Sequence, residues 1–237
     1  RDPGKGIYFF DDFVATPNVA AAAEANYGIY KGFASTGGSV TEGSSIFGEK
    51  TLSSDGDDEG ASLATVSKPF KIARGQGRFW FEARVKTSTT TDTKHGMFVG
   101  LIDTSTLSAT VPIVAAGTLA DENFVGFHKL EGDGDMLDTV YKADSVTQVS
   151  VQTDAITLAD DTYVKVGFTF DPSTYKLTFF KNGVPLATTY TVVAAAGTDF
   201  PNDVNLGLVM AVLNATGTTP GSSSIDWWRA AQLTANT

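Results

Sequence analysis

The dipeptide Asn182-Gly183 separates two runs of alternating apolar residues, and this arrangement leaves the chain little choice of fold. Both residues tolerate positive φ, which a two-residue type I′ hairpin needs. Upstream, Leu177 and Phe179 alternate with Lys176 and Thr178. Further upstream, Val164, Val166, Phe168 and Phe170 share one face of an extended strand, with Lys165, Gly167 and Thr169 on the other. A period of two is the mark of a half-buried strand. Between these runs, Asp171-Pro-Ser-Thr174 is a turn, because Pro172 presets φ and Asp171 accepts a backbone N–H further along. Tyr163 to Tyr190 is thus read as a three-stranded antiparallel meander.

The same signal recurs along the chain. Arg78 to Lys86 alternates Phe79, Phe81, Ala83 and Val85 with Arg78, Trp80, Glu82, Arg84 and Lys86. Strands are also expected at Ile7–Phe13, Leu63–Ile72, His95–Asp103, Asn123–Leu130, Met136–Lys142, Ser145–Ile156 and Ser224–Leu233. Val204–Leu213 is almost continuously apolar, as a central strand covered on both faces would be. The Ala-rich stretch Asn18–Asn26 predicts two helical turns, and Leu107–Asp121 a long connection with a short helix. Ser53–Gly60 reads as an acidic loop, Val192–Asp203 as a loop with a small Ala run, and Thr216–Ser223 as a turn. Many short strands at even spacing predict an all-β sandwich or jelly roll of two antiparallel sheets. We expect one domain over residues 7–237, preceded by an N-terminal arm, residues 1–6.

Composition narrows the function. With 237 residues the chain can bury a large core without staples, and with no cysteine it has no disulfide or thiolate chemistry. Its net charge of −10 repels phosphate backbones, so no nucleic-acid partner is expected. There is no run of about 18 apolar residues, so no membrane span is expected. Arg1-Asp-Pro-Gly-Lys-Gly6 does not read as a signal peptide, and the lack of Met at position 1 suggests processing or trimming.

Several segments together carry a family likeness: Phe9-Phe-Asp-Asp-Phe13, Phe79-Trp-Phe-Glu-Ala-Arg-Val85, Asn123-Phe-Val-Gly-Phe127, Asp161-Thr-Tyr-Val-Lys-Val-Gly-Phe168, Phe179-Phe-Lys-Asn-Gly-Val184 and Ile225-Asp-Trp-Trp-Arg229. In this order, over residues 7 to 233, the chain resembles the concanavalin A-like lectin/glucanase (laminin-G-like) jelly roll, and within it the virion structural modules of tailed bacteriophages. The resemblance implies the jelly-roll fold. It is weak for function, because this fold serves lectins, hydrolases and structural knobs alike.

The residues themselves test each chemistry. Glucanases of this fold gather carboxylates on one strand as Glu-x-Asp-x-x-Glu, and that spacing is missing. Glu82 stands among Arg78, Arg84 and Lys86 as a cross-strand ion-pair partner, and Asp103, Asp138 and Asp226 are isolated in sequence. His95 and His128 read as polar strand residues at a sheet surface. No catalytic residue and no cofactor are expected. Calcium is the alternative. Asp55, Asp57 and Glu59 alternate like the first half of an EF-hand loop, but Val66 stands where the bidentate Glu belongs. Glu131, Asp133 and Asp135 alternate too, with Lys142 at the twelfth place, and Asp11 and Asp12 form a third candidate. For sugar or interface contacts the candidates are Trp80, Tyr141, Trp227 and Trp228; adjacent Trp227 and Trp228 point to opposite faces, one to the core.

The first expectation is a non-enzymatic phage protein that decorates or cements the head on the capsid surface of the virion. It would bind the major capsid protein or other virion proteins as a homo-oligomer, such as a trimer. Its expected contact surfaces are the arm Arg1–Lys5 and the apolar loops Ala20–Ala25 and Val111–Ala116. The alternative is a carbohydrate-binding, lectin-like module of a tail fibre or cell surface. A degenerate hydrolase is the third.

Overall fold

The computed structural model describes residues 5–14, 18–20, 23–43, 48–91, 95–103, 107–108, 111–114, 118–130, 132–191, 199–214 and 221–234. Nineteen strands are described. The first ten are β1 (Gly6–Asp11), β2 (Val19–Ala20), β3 (Ala23–Tyr27), β4 (Tyr30–Ala34), β5 (Gly38–Glu42), β6 (Lys50–Ser54), β7 (Glu59–Thr65), β8 (Phe79–Thr87), β9 (Gly96–Ile102) and β10 (Ile113–Val114). There follow β11 (Thr118–Leu119), β12 (Phe124–Lys129), β13 (Met136–Lys142), β14 (Val149–Thr157), β15 (Val164–Asp171), β16 (Lys176–Lys181), β17 (Val184–Thr191), β18 (Gly207–Asn214) and β19 (Gly221–Leu233). Among the described residues there is no α-helix, and no helix is long and apolar enough to cross a membrane.

These strands form two large antiparallel sheets. A nine-stranded sheet runs β17-β16-β15-β8-β19-β6-β5-β2, with β1 also on β19; an eight-stranded sheet runs β14-β13-β12-β9-β18-β7-β4-β3. The fold is the expected jelly-roll sandwich. Its main core lies between the sheets and is built by pleat alternation. From β8 come Phe79, Phe81, Ala83 and Val85, from β15 Val166, Phe168 and Phe170, and from β16 Leu177 and Phe179. The opposite sheet supplies Met97, Val99, Leu101, Val125, Phe127, Leu208 and Met210. The meander takes the predicted form, with Phe168 opposite Phe179, Lys181 opposite Val184, and positive φ at Asn182 (52°) and Gly183 (82°).

Trp228 anchors one end of this core. It is fully buried against Phe13 and Tyr30, with ring centroids 5.3 and 5.8 Å away. Its Nε1–H donates to the Tyr30 hydroxyl (3.1 Å), and that hydroxyl donates to Asp11 Oδ2 (2.5 Å). Asp11 Oδ1 accepts from the N–H of Phe13, which sits at φ 59°. The relay ties β1 and β4 to β19. Asp11 is therefore spoken for by protein donors.

A second, smaller core lies on the outer face of the eight-stranded sheet. Phe98, Ile102, Phe124, Val140 and Val209 are covered there by Leu107 and Ile113, with Val111, Leu119 and Leu130 at the margin. β9, β12 and β18 are accordingly buried on both faces, as expected for β18. In place of a helix, the described residues of 107–121 form the β10–β11 pair.

Other expectations are corrected. The Ala-rich stretch is not helical where described: β2 pairs with β5, and β3 pairs with β4 from Ala23↔Ala34 to Tyr27↔Tyr30. Two turns of helix carry a nucleation cost that Ala propensity does not offset, whereas a neighbouring strand satisfies each N–H and C=O. Glu59 and Gly60 open β7 instead of closing a loop, and that strand ends at Thr65 rather than running on toward Ile72. Both histidines are buried, His95 fully and His128 to 2% exposure, not at the sheet surface. Residues 1–4 of the arm, 21–22, 115–117, 131, 192–198 and 216–220 lie outside the described residues.

Replacing Tyr30 by Phe keeps the ring and strands Trp228 Nε1 and Asp11 Oδ2 without a partner. Leaving buried polar groups unsatisfied costs about 1–3 kcal/mol. A urea unfolding midpoint lowered by that amount, with an unchanged slope, is the expected result.

Candidate functional site

On the nine-stranded sheet the residues that alternate with the core face outward, and the register sets them in rows. One row runs Phe180–Gly167–Glu82–Arg229–Phe10 across five strands. The next runs Thr178–Thr169–Trp80–Ala231–Tyr8. Small residues in both rows, Gly167 and Ala231, lower the floor between tall aromatic neighbours. The result is a groove of about 430 Å³ lined by Tyr8, Trp80, Glu82, Phe180 and Arg229. A Cβ at position 167 would lie 2.6 Å from the Phe81 carbonyl oxygen, so the floor admits only glycine. Tyr8 and Phe10 are about half exposed, at 49% and 50%, and Trp80 is 37% exposed.

Charges on this face are matched in pairs. Arg229 Nε donates to Glu82 Oε2 at 2.8 Å, the cross-strand ion pair foreseen for Glu82, formed between β8 and β19. Arg84 pairs with Asp226 and lies 4.0 Å over the Tyr163 ring. Lys86 lies 3.4 Å from Glu49, which also accepts from the Tyr163 hydroxyl. Burial pushes Glu49 up, but the hydrogen bonds from Tyr163 and Ser224 and the Lys86 charge outweigh it and hold this carboxyl below its ordinary value. A sugar-cleaving general acid needs the reverse, a raised carboxyl.

Of the aromatic candidates, the structure brings Trp80 and Trp227 to this outer face. Trp227 is half-buried, with the Arg229 guanidinium 5.4 Å from its ring centroid. A β-bulge between Ile225 and Trp227 turns Trp228 inward. Trp228 and Tyr141 are fully buried and cannot meet a sugar; Tyr141 packs on Phe200 (5.1 Å) and Tyr190 (5.4 Å) in the core. Phe180, Tyr8 and Arg229 were not foreseen. Phe180 follows core Phe179, so alternation alone places it outside.

A second constellation was also missed, although Asp133, one of its members, was a calcium candidate. His128 and Asp138 face each other across the β12–β13 ladder, and Asp133 folds back from the connecting turn. One ligand atom from each lies within 4.8 Å of the others, and among the described residues this is the only such group of three. Among the described residues, Asp55, Asp57, Glu59 and Asp135 join no such group, and Glu131 lies outside the described residues. Asp138 is isolated in sequence but not in space. The signal was the hairpin register, which His-x4-Asp-x4-Asp alone does not reveal.

A carboxyl raised by its surroundings, Glu122, stands where the 103–122 segment closes. Asp103 N–H donates to the Asn123 carbonyl (3.1 Å), and Asn123 Nδ2 donates to Asp103 Oδ2 (2.8 Å). Burial, then the adjacent Asp103 charge, pushes Glu122 up to about 7.

No protein-family model matches the chain, and no curated protein matches it in sequence. Solved structures do match. Peanut lectin superposes with a TM-score of 0.62 at 14% identity, over 98% of this chain and 99% of the lectin. The Bacillus licheniformis β-glucanase gives 0.55 at 16% identity, over 97% and 99%. The Streptomyces sioyaensis endo-1,3-β-glucanase gives 0.58 at 13% identity, over 99% and 98%. The chain thus has the concanavalin A-like lectin/glucanase jelly-roll fold, shared by binding proteins and enzymes.

Glu122 gives a pH dependence of definite sign. A carboxyl raised on folding keeps its proton in the folded chain after the unfolded chain has lost it. Its contribution is fully present below about 4.5 and lost as pH climbs through about 7. His95, which burial and Lys129 push down to about 3, acts oppositely between about 3 and 6.5. Comparing wild type with Glu122→Gln cancels the His95 effect. Between pH 5 and 8 the wild type should lose urea resistance relative to the variant; parallel pH profiles would refute the assignment.

Proposed function

We propose that the chain is a non-enzymatic carbohydrate-binding domain that takes a saccharide along the groove of the nine-stranded sheet. The observation that carries this reading is the low floor at Gly167 and Ala231 between Trp80, Phe180 and Tyr8, with the Glu82–Arg229 pair beside it. Sugar rings present C–H faces that pack on aromatic side chains and hydroxyls that exchange hydrogen bonds with carboxylate and guanidinium groups. The fold's company supports it: a lectin, glucanases and the Emp46p carbohydrate recognition domain share this architecture. The paired state of Glu82, Asp226 and Glu49 supports binding over cleavage. With a net charge of −10, the chain favours neutral over anionic glycans.

A second reading, decoration of a bacteriophage shell by a homo-oligomer, draws support from the resemblance and from exposed Ile7, Tyr8 and Phe10 on β1, which offer apolar surface to a protein partner. Binding of the purified chain to undecorated heads would favour it.

A glycan array followed by titration of the best neutral oligosaccharide tests the first reading. Saturable binding is expected, weakened at least tenfold by Trp80→Ala and unchanged by Tyr27→Ala on the other sheet. A flat array, or binding indifferent to Trp80, would sink it.

A further inference from the structure

The β12–β13 hairpin holds an arrangement that sugar binding does not use. The turn is built around Asp133: its N–H donates to the Leu130 carbonyl (3.1 Å), its carbonyl accepts from Met136 (3.0 Å), and its Oδ2 accepts from Leu130 N–H (2.7 Å). Gly134, at φ 59°, lets the chain reverse there. These bonds fix the Asp133 carboxylate 3.5 Å from His128 Nδ1. Asp138, directly across the ladder from His128, has its Oδ1 held by Asp154 N–H (2.8 Å). Each carboxylate is therefore oriented by a backbone donor and keeps lone pairs to spare.

His128 is the anomaly. The residue is 2% exposed, yet Nδ1 makes no hydrogen bond and faces the Asp133 carboxylate 3.5 Å away. A buried unpaired nitrogen costs about 1–3 kcal/mol unless something completes it. On the far side, Nε2 lies 3.3 Å from the Gln148 amide. Turning that amide about its axis changes no shape and presents its oxygen, which would accept Nε2–H and leave the Nδ1 lone pair facing the carboxylates. Asp133 and Asp138 gather two like charges around one imidazole, and a divalent cation placed among them would offset their repulsion.

We propose that His128, Asp133 and Asp138 form a binding site for a first-row divalent transition-metal ion of the Zn²⁺ class. One imidazole nitrogen with two carboxylate oxygens suits such an ion, whereas Ca²⁺ takes six to eight oxygens. Ligands of a tetrahedral ion at about 2.1 Å lie about 3.4 Å apart, close to the 3.5 Å between His128 Nδ1 and Asp133 Oδ2. Three protein ligands leave a fourth position for water. The ion would pin the turn to both strands and cap the margin of the outer core beside Leu130.

The test uses the full chain, without a histidine tag and freed of metal by chelation. Titration with Zn²⁺ should show one saturable site per chain, and Co²⁺ should give the visible absorption of a low-coordinate site, displaced by one equivalent of Zn²⁺. Asp133→Asn, which keeps the acceptor for Leu130 N–H, and Asp138→Asn should each weaken Zn²⁺ binding at least tenfold. Asp135→Asn, two residues further along the turn, should leave it unchanged. The proposal is overturned by wild-type chain that binds neither ion stoichiometrically, by binding that survives both Asp variants, or by saturable Ca²⁺ binding in place of Zn²⁺. The Co²⁺ spectrum is read on the unaltered chain, so the result does not hang on how the variants fold.

Discussion

Pleat alternation on β8 and β19 is the constraint from which the rest follows. Each residue that these strands send inward commits its neighbour to the opposite face. Phe79, Phe81, Ala83 and Val85 build the core only because Trp80, Glu82, Arg84 and Lys86 stand outside. A slip of one residue would bury the ion pairs and expose the phenylalanines. The groove and the core are thus two readings of one register. The bulge after Ile225 is where that register is adjusted, so that Trp228 reaches Tyr30 while Trp227 stays with the outer row.

Much of this was legible in the sequence. The meander, the inward residues of β8, the doubly covered β18 and the opposed pair Trp227 and Trp228 follow from alternation and turn chemistry within one segment. What escaped depends on which segments become neighbours. Asn18–Asn26 contains good helix formers, and only the partners β5 and β4 make strands of its described part. His128 looked like a surface residue because nothing near it in sequence announces the outer core that buries it. Tyr141 looked available for the same reason. The candidate site divides likewise: Trp80 was visible as an outward aromatic, whereas its companions Tyr8, Phe180 and Arg229 come from three other strands that only the sheet order assembles.

Electrostatics separate the two outer faces. On the nine-stranded sheet each carboxylate discussed has its own cation: Glu82 has Arg229, Asp226 has Arg84 and Glu49 has Lys86. The Glu82–Arg229 pair, with its guanidinium half exposed, contributes little to stability, about 0–1 kcal/mol, whereas Glu49 of the Lys86 pair is buried. Carboxyls on the other sheet are crowded, with Asp103 beside Glu122 and Asp133 beside Asp138, and lysines and a histidine only partly answer them.

The thirteen-residue β19 pairs with β8 along one edge and with both β6 and β1 along the other. During synthesis these three strands emerge first and wait with unpaired edges until residue 233 has left the ribosome. The nine-stranded sheet cannot close by stages as its strands appear. Its assembly is a late, long-range event, and until then open edges are exposed on a chain whose net charge of −10 opposes pairing with its like.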